Sequence, residues 1–322
     1  MTSRPVKVSV GIPVYNVEKY MERTARSLFG QTLGELELVF VDDASSDRSV
    51  EILERVLAEY PDRREQVRII RFSRNQGPSA ARLAALQHFS GEYFIFCDAD
   101  DFVEPDLYEK MYRRAYEGRA EPADVVHCGF HVVHVDGKEK RDSDAVDVAD
   151  LRELLRRLNN GTLLPSLCCH LFRRDRIAVE QLFLPQTLRY CEDYLMLIQM
   201  LDRCSTLACL PQGGYWYCRN TASISHRHVE ENMRSARFVL RCLDRMETDP
   251  LQTEARKSRW RALLYQNLRG SALSPRRCAA ILRRCGPGVL RDRNLKWKKR
   301  IRLFIIFRFP AAALLFQKKA SK

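Results

Sequence analysis

Short β-branched runs alternate with amphipathic helical stretches through the first 120 residues, and this alternation restricts the fold more than any other feature of the chain. Val6 to Ile12 is a β-branched run closed by Pro13, after which Val17, Tyr20, Met21, Ala25, Leu28 and Phe29 recur at helical spacing. Leu36 to Val41 reads as the next strand and Ser46 to Tyr60 as a capped helix. Val67 to Phe72, Pro78 to Phe89 and Tyr93 to Cys97 repeat the pattern. Strands and helices of this length in strict alternation build βαβ units, so the expected fold class is α/β with a mostly parallel central sheet covered by helices. Ligands of such sheets bind outside the carboxyl ends of the strands, where strand order reverses. The loops to inspect are therefore Pro13 to Asn16, Asp42 to Asp47 and Asp98 to Asp101.

Beyond residue 120 the pattern loosens. Val125 to Val135 and Leu167 to Arg173 read as strands, Asp147 to Leu158 and Glu192 to Leu201 as helices, and Gly214 to Arg219 as extended. From Val229 onward the chain reads as helical. The expected domains are a catalytic unit over 1–225 and a helical extension over 226–322.

Charge separates the same two regions. Between Arg256 and Lys322 stand twenty Lys or Arg and one acid, Asp292, whereas the first 255 residues hold 34 basic and 40 acidic groups. Chemistry is thus expected in the body and an acidic partner for the tail. Within 296–319, Lys296-Trp-Lys-Lys-Arg-Ile-Arg302 precedes Leu303 to Phe307, Arg308-Phe309-Pro310, Ala311 to Phe316, Lys318 and Lys319. Cationic and apolar residues so mixed suit the surface of an anionic leaflet; a helix packed on the body with a solvated basic face is the plainer alternative. No window holds eighteen uninterrupted apolar residues, which argues against a multi-span membrane protein. The first thirty residues lack a signal-peptide pattern, and eleven Cys without metal-type spacing fit reduced thiols. The expected location is cytoplasmic, peripheral on the inner face of the membrane.

Three acidic loops carry the chemistry: Asp42-Asp43, then Asp98, Asp100 and Asp101, then Glu192-Asp193. Like charges gathered at a strand end are costly unless a cation sits among them, and hard Mg²⁺ or Mn²⁺ takes carboxylate and phosphate oxygens. Helix capping and solvation would account for the same residues, and spacing alone does not choose.

Five stretches in register decide the matter. Val8-Ser-Val-Gly-Ile-Pro-Val-Tyr-Asn16, Val41-Asp-Asp-Ala-Ser-Ser-Asp47, Arg74-Asn-Gln-Gly-Pro-Ser-Ala-Ala-Arg82, Cys97-Asp-Ala-Asp-Asp101 and Cys191-Glu-Asp193 together resemble the family 2 glycosyltransferases, whose fold is of the GT-A type. The resemblance implies that Pro13 and Tyr15 line the nucleotide base, Asp43 bonds the uracil edge and Arg82 lies near the base or diphosphate. It also implies that Asp98 approaches the ribose and diphosphate, Asp100 holds Mn²⁺ or Mg²⁺, Asp101 faces the donor sugar and Asp193 is the catalytic base. Arg219, in Tyr217-Cys-Arg219, would contact the diphosphate or stand as a sheet-edge Arg in water. Ser223 and Ser225 belong to the same segment, while His226 and His228 are left out of the metal set. Two residues depart from the family pattern: Ala44 where Gly is usual, harmless if its φ is negative, and Leu83 where Asn is frequent.

The resemblance implies an inverting, metal-dependent glycosyltransferase that moves a sugar from a nucleotide-sugar, expected to be a UDP-sugar, to a saccharide or lipid-linked acceptor in cell-surface polysaccharide synthesis. A carboxylate must take the acceptor's proton, and a cation must stabilise the departing diphosphate. Two alternatives compete. A sugar-phosphate nucleotidyltransferase would carry a Gly-rich basic loop where this chain has Pro13-Val-Tyr-Asn16. A non-enzymatic nucleic-acid binder would space its charge with polar and stacking residues rather than an aliphatic run; no nucleic-acid partner is expected.

Overall fold

A computed structural model describes residues 5–134, 148–185, 188, 190–219, 229–246, 252–259, 261–262, 283, 288–293 and 295–309. Ser223, Ser225, His226, His228 and residues 310–322 of the tail lie outside the described residues. The chain divides into two compact units, residues 1–151 with 166–223 and residues 152–165 with 224–322.

The first unit is built on a sheet of eight strands: β1 (Val8–Val14), β2 (Leu36–Asp42), β3 (Val67–Arg71), β4 (Tyr93–Phe96), β5 (Phe102–Val103), β6 (Val125–His134), β7 (His170–Arg173) and β8 (Leu207–Arg219), in the order β3-β2-β1-β4-β7-β6-β8-β5. β1 to β4 are mutually parallel, as the alternation requires, because α1 (Glu18–Phe29), α2 (Ser49–Ala58) and α3 (Pro78–His88) carry the chain back between them. β7 runs antiparallel to both β4 and β6, and β8 returns parallel to β6. The sheet is thus mostly parallel with a mixed half. Every residue of β4 is buried and so is nearly every residue of β1 and β2, the mark of strands covered on both faces. Gly11 has no room for a side chain, since a Cβ there would stand 2.8 Å from the Phe89 ring.

Three elements escape the sequence reading. α4 (Leu107–Tyr116) buries Leu107, Tyr108, Met111 and Ala115. β5 has only two residues, held by pairing Phe102 with Trp216 and Val103 with Tyr215. β8 begins at Leu207, seven residues before its expected start, because register shifts opposite Cys128, Gly129 and Phe130 take up Pro211, Gln212 and Gly214. α6 (Glu192–Leu201) lies where expected.

In the second unit, α5 (Leu151–Asn160) meets a helical stretch over 252–259, with Asn159 donating to Gln252 Oε1 at 2.8 Å. Arg261 is fully buried and bonds Asp292 and Glu254, each at 2.9 Å. α7 (Val229–Met246) and α8 (Trp297–Arg308) belong to the same unit. No helix among the described residues is long and apolar enough to cross a membrane.

Candidate active site

The carboxyl ends of β1, β2 and β4 open at one edge of the sheet, and strand order reverses there between β1 and β4. Two loops lock together beside that crevice. After β1, the Asn16 amide oxygen accepts from Ser46 N–H at 2.8 Å, and Val17 N–H donates to Ser49 Oγ at 2.8 Å. After β2, Asp47 receives Glu18 N–H at 3.0 Å and the Ser49 hydroxyl at 2.6 Å. Pro13 is half-buried, while the Tyr15 side chain stands exposed at 48%, free to offer its face to a planar ring.

Asp43 is buried, and its two oxygens accept the backbone N–H groups of Gln76 at 2.6 Å and Gly77 at 2.8 Å. Gly77 has φ +92°, a conformation open to glycine, which turns its N–H onto Asp43 just before Pro78 starts α3. Ala44 has φ +59°. The condition under which its departure from Gly is harmless is therefore not met: the residue sits in left-handed backbone at a steric cost.

The loop after β4 divides its three carboxylates between two surroundings. Asp101 is 1% exposed. It accepts the Tyr215 hydroxyl and, at 2.7 Å, the Cys218 N–H, while Tyr215 itself receives Asp98 N–H at 3.2 Å. Burial, then Asp100 and Asp98, push the Asp101 carboxyl well above the usual range. Asp98 and Asp100 are half-buried. Burial and the neighbouring Asp98 raise Asp100 to about 6. The same loop is fixed from below by Thr24, whose hydroxyl reaches Ala99 O at 3.0 Å and Asp101 O at 2.6 Å. Arg23 donates to Asp100 O at 2.9 Å and lies 4.7 Å from the Phe102 ring centre.

Arg82, only 6% exposed, joins the loops. Its Nη2 donates to Asp98 at 3.0 Å and its Nη1 to Glu192 at 2.7 Å. Burial works against its charge, but Asp98, Glu192 and Asp193 outweigh burial and keep it protonated above the ordinary arginine value. Asp193 is the next residue of α6, with its Oδ1 on Tyr194 N–H at 2.7 Å. Burial and Glu192 raise it to about 7 against the pull of Arg82. Asp98, Asp100, Arg82 and the Glu192-Asp193 pair thus come together, and Asp43 is tied in through the start of α3. Arg219 is exposed on β8, one residue past the Cys218 that holds Asp101. Tyr215, Arg23 and Glu192 were assigned no role from the sequence. Only Glu192 had a signal, its place in the Cys191-Glu-Asp193 stretch.

Among the described residues, no group of three or more His, Cys, Asp or Glu could hold a metal ion. The oxygen donors present nevertheless fit a hard cation that draws its other ligands from a diphosphate. Asp100 is half-buried, raised by burial and by the like charge of Asp98, and its carboxylate has no side-chain hydrogen bond among the described residues.

Comparison with known proteins shows the family and the fold. The sequence model of Glycosyl transferase family 2 matches residues 9–183, more than half of the chain. The uncharacterized glycosyltransferase EpsJ of Bacillus subtilis is 27% identical over 68% of this chain, and the succinoglycan biosynthesis protein ExoO of Rhizobium meliloti is 30% identical over 68%. Either match takes in 62% of the relative, so the chain spans less than two thirds of their length. Among solved structures, S. aureus TarS 1–349 in complex with UDP-GlcNAc superposes with a TM-score of 0.69 at 18% identity, covering 98% of this chain and 93% of that 1–349 chain. The mannosyltransferase PcManGT of Pyrobaculum calidifontis, in complex with GDP-Man and Mn²⁺, gives 0.56 at 18%, covering 97% and 87%. The fold is of the α/β GT-A type. The chain belongs to glycosyl transferase family 2.

Proposed function

We propose that the protein is an inverting glycosyltransferase that moves a sugar from a UDP-sugar to a saccharide or lipid-linked acceptor in polysaccharide synthesis, with Asp193 as base and a divalent cation on Asp100. The observation that carries this reading is the convergence, through Arg82, of carboxylates from β4 and α6 beside the crevice where strand order reverses. Asp193, raised to about 7, is matched to taking a proton from a hydroxyl near neutral pH. Attack by that hydroxyl opposite the departing diphosphate inverts the anomeric centre, with no covalent intermediate on the protein. When bound, a divalent cation supplies Lewis-acid stabilisation of the charge that grows on the diphosphate. The exposed Tyr15 ring would stack on the base, and Asp98 would orient the ribose. ExoO, named for succinoglycan biosynthesis, supports a polysaccharide product, and the UDP-GlcNAc complex of TarS supports a UDP-sugar donor.

The test is thermal melting with UDP-GlcNAc and with GDP-mannose, with and without Mn²⁺, followed by UDP or GDP release. A ligand at one hundred times its Kd stabilises the native state by about 2.7 kcal/mol. We expect one donor to raise Tm more with Mn²⁺ present, and Asp100→Ala to lose that increment. Equal stabilisation with and without Mn²⁺ removes the metal assignment; no donor binding at all removes the function.

The acceptor side of the reading includes placement at an anionic leaflet. On α8, Leu303 and Ile306 are buried, whereas Trp297, Ile301 and Phe304 are exposed at spacings of four and three, which puts them on the opposite face. Lys298, Arg302 and Arg308 are exposed around them. Each cation near such a surface contributes about 1 kcal/mol. The full chain should pellet with phosphatidylserine vesicles and lose pelleting in Trp297→Glu/Phe304→Glu; failure of the parent to pellet removes the membrane claim and leaves the enzyme untouched.

A further inference from the structure

Helix α3 and the glycine that caps it tie three parts of the candidate site together: the Asp43 loop, the Asp98 loop and the start of α6. Its first turn holds Asp43 through Gly77 N–H, Ser79 Oγ donates to Leu188 O at 3.0 Å in the segment leading to α6, and Arg82 one turn later reaches both β4 and α6. The family resemblance leads one to expect Arg82 at the nucleotide. In the structure its two terminal nitrogens are spent on Asp98 and Glu192, and its Nε is buried with no acceptor among the described residues.

We infer that Arg82 is a positioning residue: it clamps the end of β4 to the start of α6 and so fixes where the Asp193 carboxylate stands relative to the Asp98 loop. A second observation points the same way. Cys191, directly before the Glu192-Asp193 pair, has φ +62°, a left-handed conformation that a side chain adopts only where surroundings enforce it. The Arg82–Glu192 ion pair, with side chains 7% and 11% exposed, is one contact next to that residue strong enough to contribute. A buried pair of this kind is strongly destabilising to break, because the remaining carboxylate is left uncompensated.

The clamp acts on Asp193 electrostatically as well as sterically. The charged groups facing Asp193 are Glu192 on its own helix, Arg82 on α3 and Asp98 at the end of β4, the first and last favouring protonation and Arg82 opposing it. Without Arg82, two carboxylates would face Asp193 with no cation between them. The consequence for turnover rests on the proposed base role of Asp193, whereas the titration of its carboxyl does not.

The experiment follows the Asp193 carboxyl resonance in full-length protein labelled with ¹³C-aspartate, assigned by its disappearance in Asp193→Asn. In Arg82→Met the midpoint should rise by about one pH unit, with Arg82→Lys in between. Adding Glu192→Gln to Arg82→Met should bring it back toward the parent. Arg82→Gln, a smaller polar replacement that also removes the cation, should raise it likewise, which keeps the test decisive if Arg82→Met does not fold. A midpoint unmoved within about 0.3 unit in folded Arg82→Met, or in Arg82→Gln where Arg82→Met fails to fold, overturns the inference, because a residue serving packing alone would leave it in place. Turnover distinguishes the two readings: if Asp193→Asn keeps full UDP release from UDP-GlcNAc while the midpoints move as expected, the base assignment fails and the clamp stands.

Discussion

Replacing Asp101 with Ala separates a donor-sugar contact from a structural anchor. Asp101 is almost fully buried, with one oxygen on Cys218 N–H and the other on the Tyr215 hydroxyl. Those donors belong to β8, whose edge holds the two-residue β5, so the carboxylate fastens the Asp98 loop to the sheet. Truncation to Ala strands two buried donors. Each costs about 1–3 kcal/mol when left without an acceptor, so the variant should lose about 3 kcal/mol. For a unit of this size 1 kcal/mol moves Tm by about 2–4 °C, giving a drop of roughly 10 °C. The cost is softened by the strain of the ionised group itself, since burial and two neighbouring carboxylates oppose its charge. Asp101→Asn, which keeps an acceptor and discards the charge, should therefore melt well above Asp101→Ala. Scanning calorimetry on the three proteins reads the order directly. If Asp101→Ala melts like the parent and loses only UDP-GlcNAc binding, the carboxylate serves the sugar and the structural account is refuted.

Three further outcomes follow from single residues. Ala44→Gly should stabilise the protein slightly, by about 0.5 kcal/mol, because relief of left-handed strain of about 1–2 kcal/mol exceeds the greater unfolded-state entropy of Gly; urea unfolding showing a loss instead would mean that residue 44 has negative φ in solution. His170, fully buried and depressed to about 4 by burial, binds fewer protons folded than unfolded between its unfolded value near 6.5 and about 4. Stability should therefore fall as pH drops through that window, by up to about 1.4 kcal/mol per pH unit, and His170→Gln should flatten the slope in urea titrations at pH 4.5 and 7. Asp193→Asn should lower kcat by about 10²–10⁴-fold, the usual worth of a general base, with donor affinity by calorimetry unchanged; a tenfold loss of affinity instead would make Asp193 a donor-binding group.

The part of this molecule that sequence makes legible is the part governed by short-range periodicity. β1 to β4 and the helices between them are readable because each strand is a short run rich in β-branched and aromatic residues and the helices between them carry apolar residues at helical spacing. Two of the acidic loops, those after β2 and β4, stand at one edge of the sheet by the same alternation, since parallel strands end on the same side. What stayed hidden depends on partners far along the chain. Tyr215 and Cys218 hold Asp101 across 114 and 117 residues, and nothing near Asp101 in the sequence distinguishes it from its half-buried neighbours Asp98 and Asp100. β8 could not be seen as one strand because Pro211, Gly213 and Gly214 read as breaks, and only the irregular register against β6 carries the ladder past them. The sign of φ at Ala44 is likewise set by tertiary ties between the first two loops, not by Ala itself.

Arg82 shows why the two kinds of information must be combined. The family pattern leads one to expect the nucleotide beside it, and the structure adds that its charge is matched by two of this protein's own carboxylates. Of those two, Asp98 is 36% exposed on its side chain and Glu192 only 11%. A guanidinium bonded to one half-open and one closed carboxylate is held firmly on the α6 side and more loosely on the side facing the crevice. Its charge is therefore oriented by Glu192 and presented through Asp98, so that the same residue would fix the proposed base and shape the field where the diphosphate is proposed to lie.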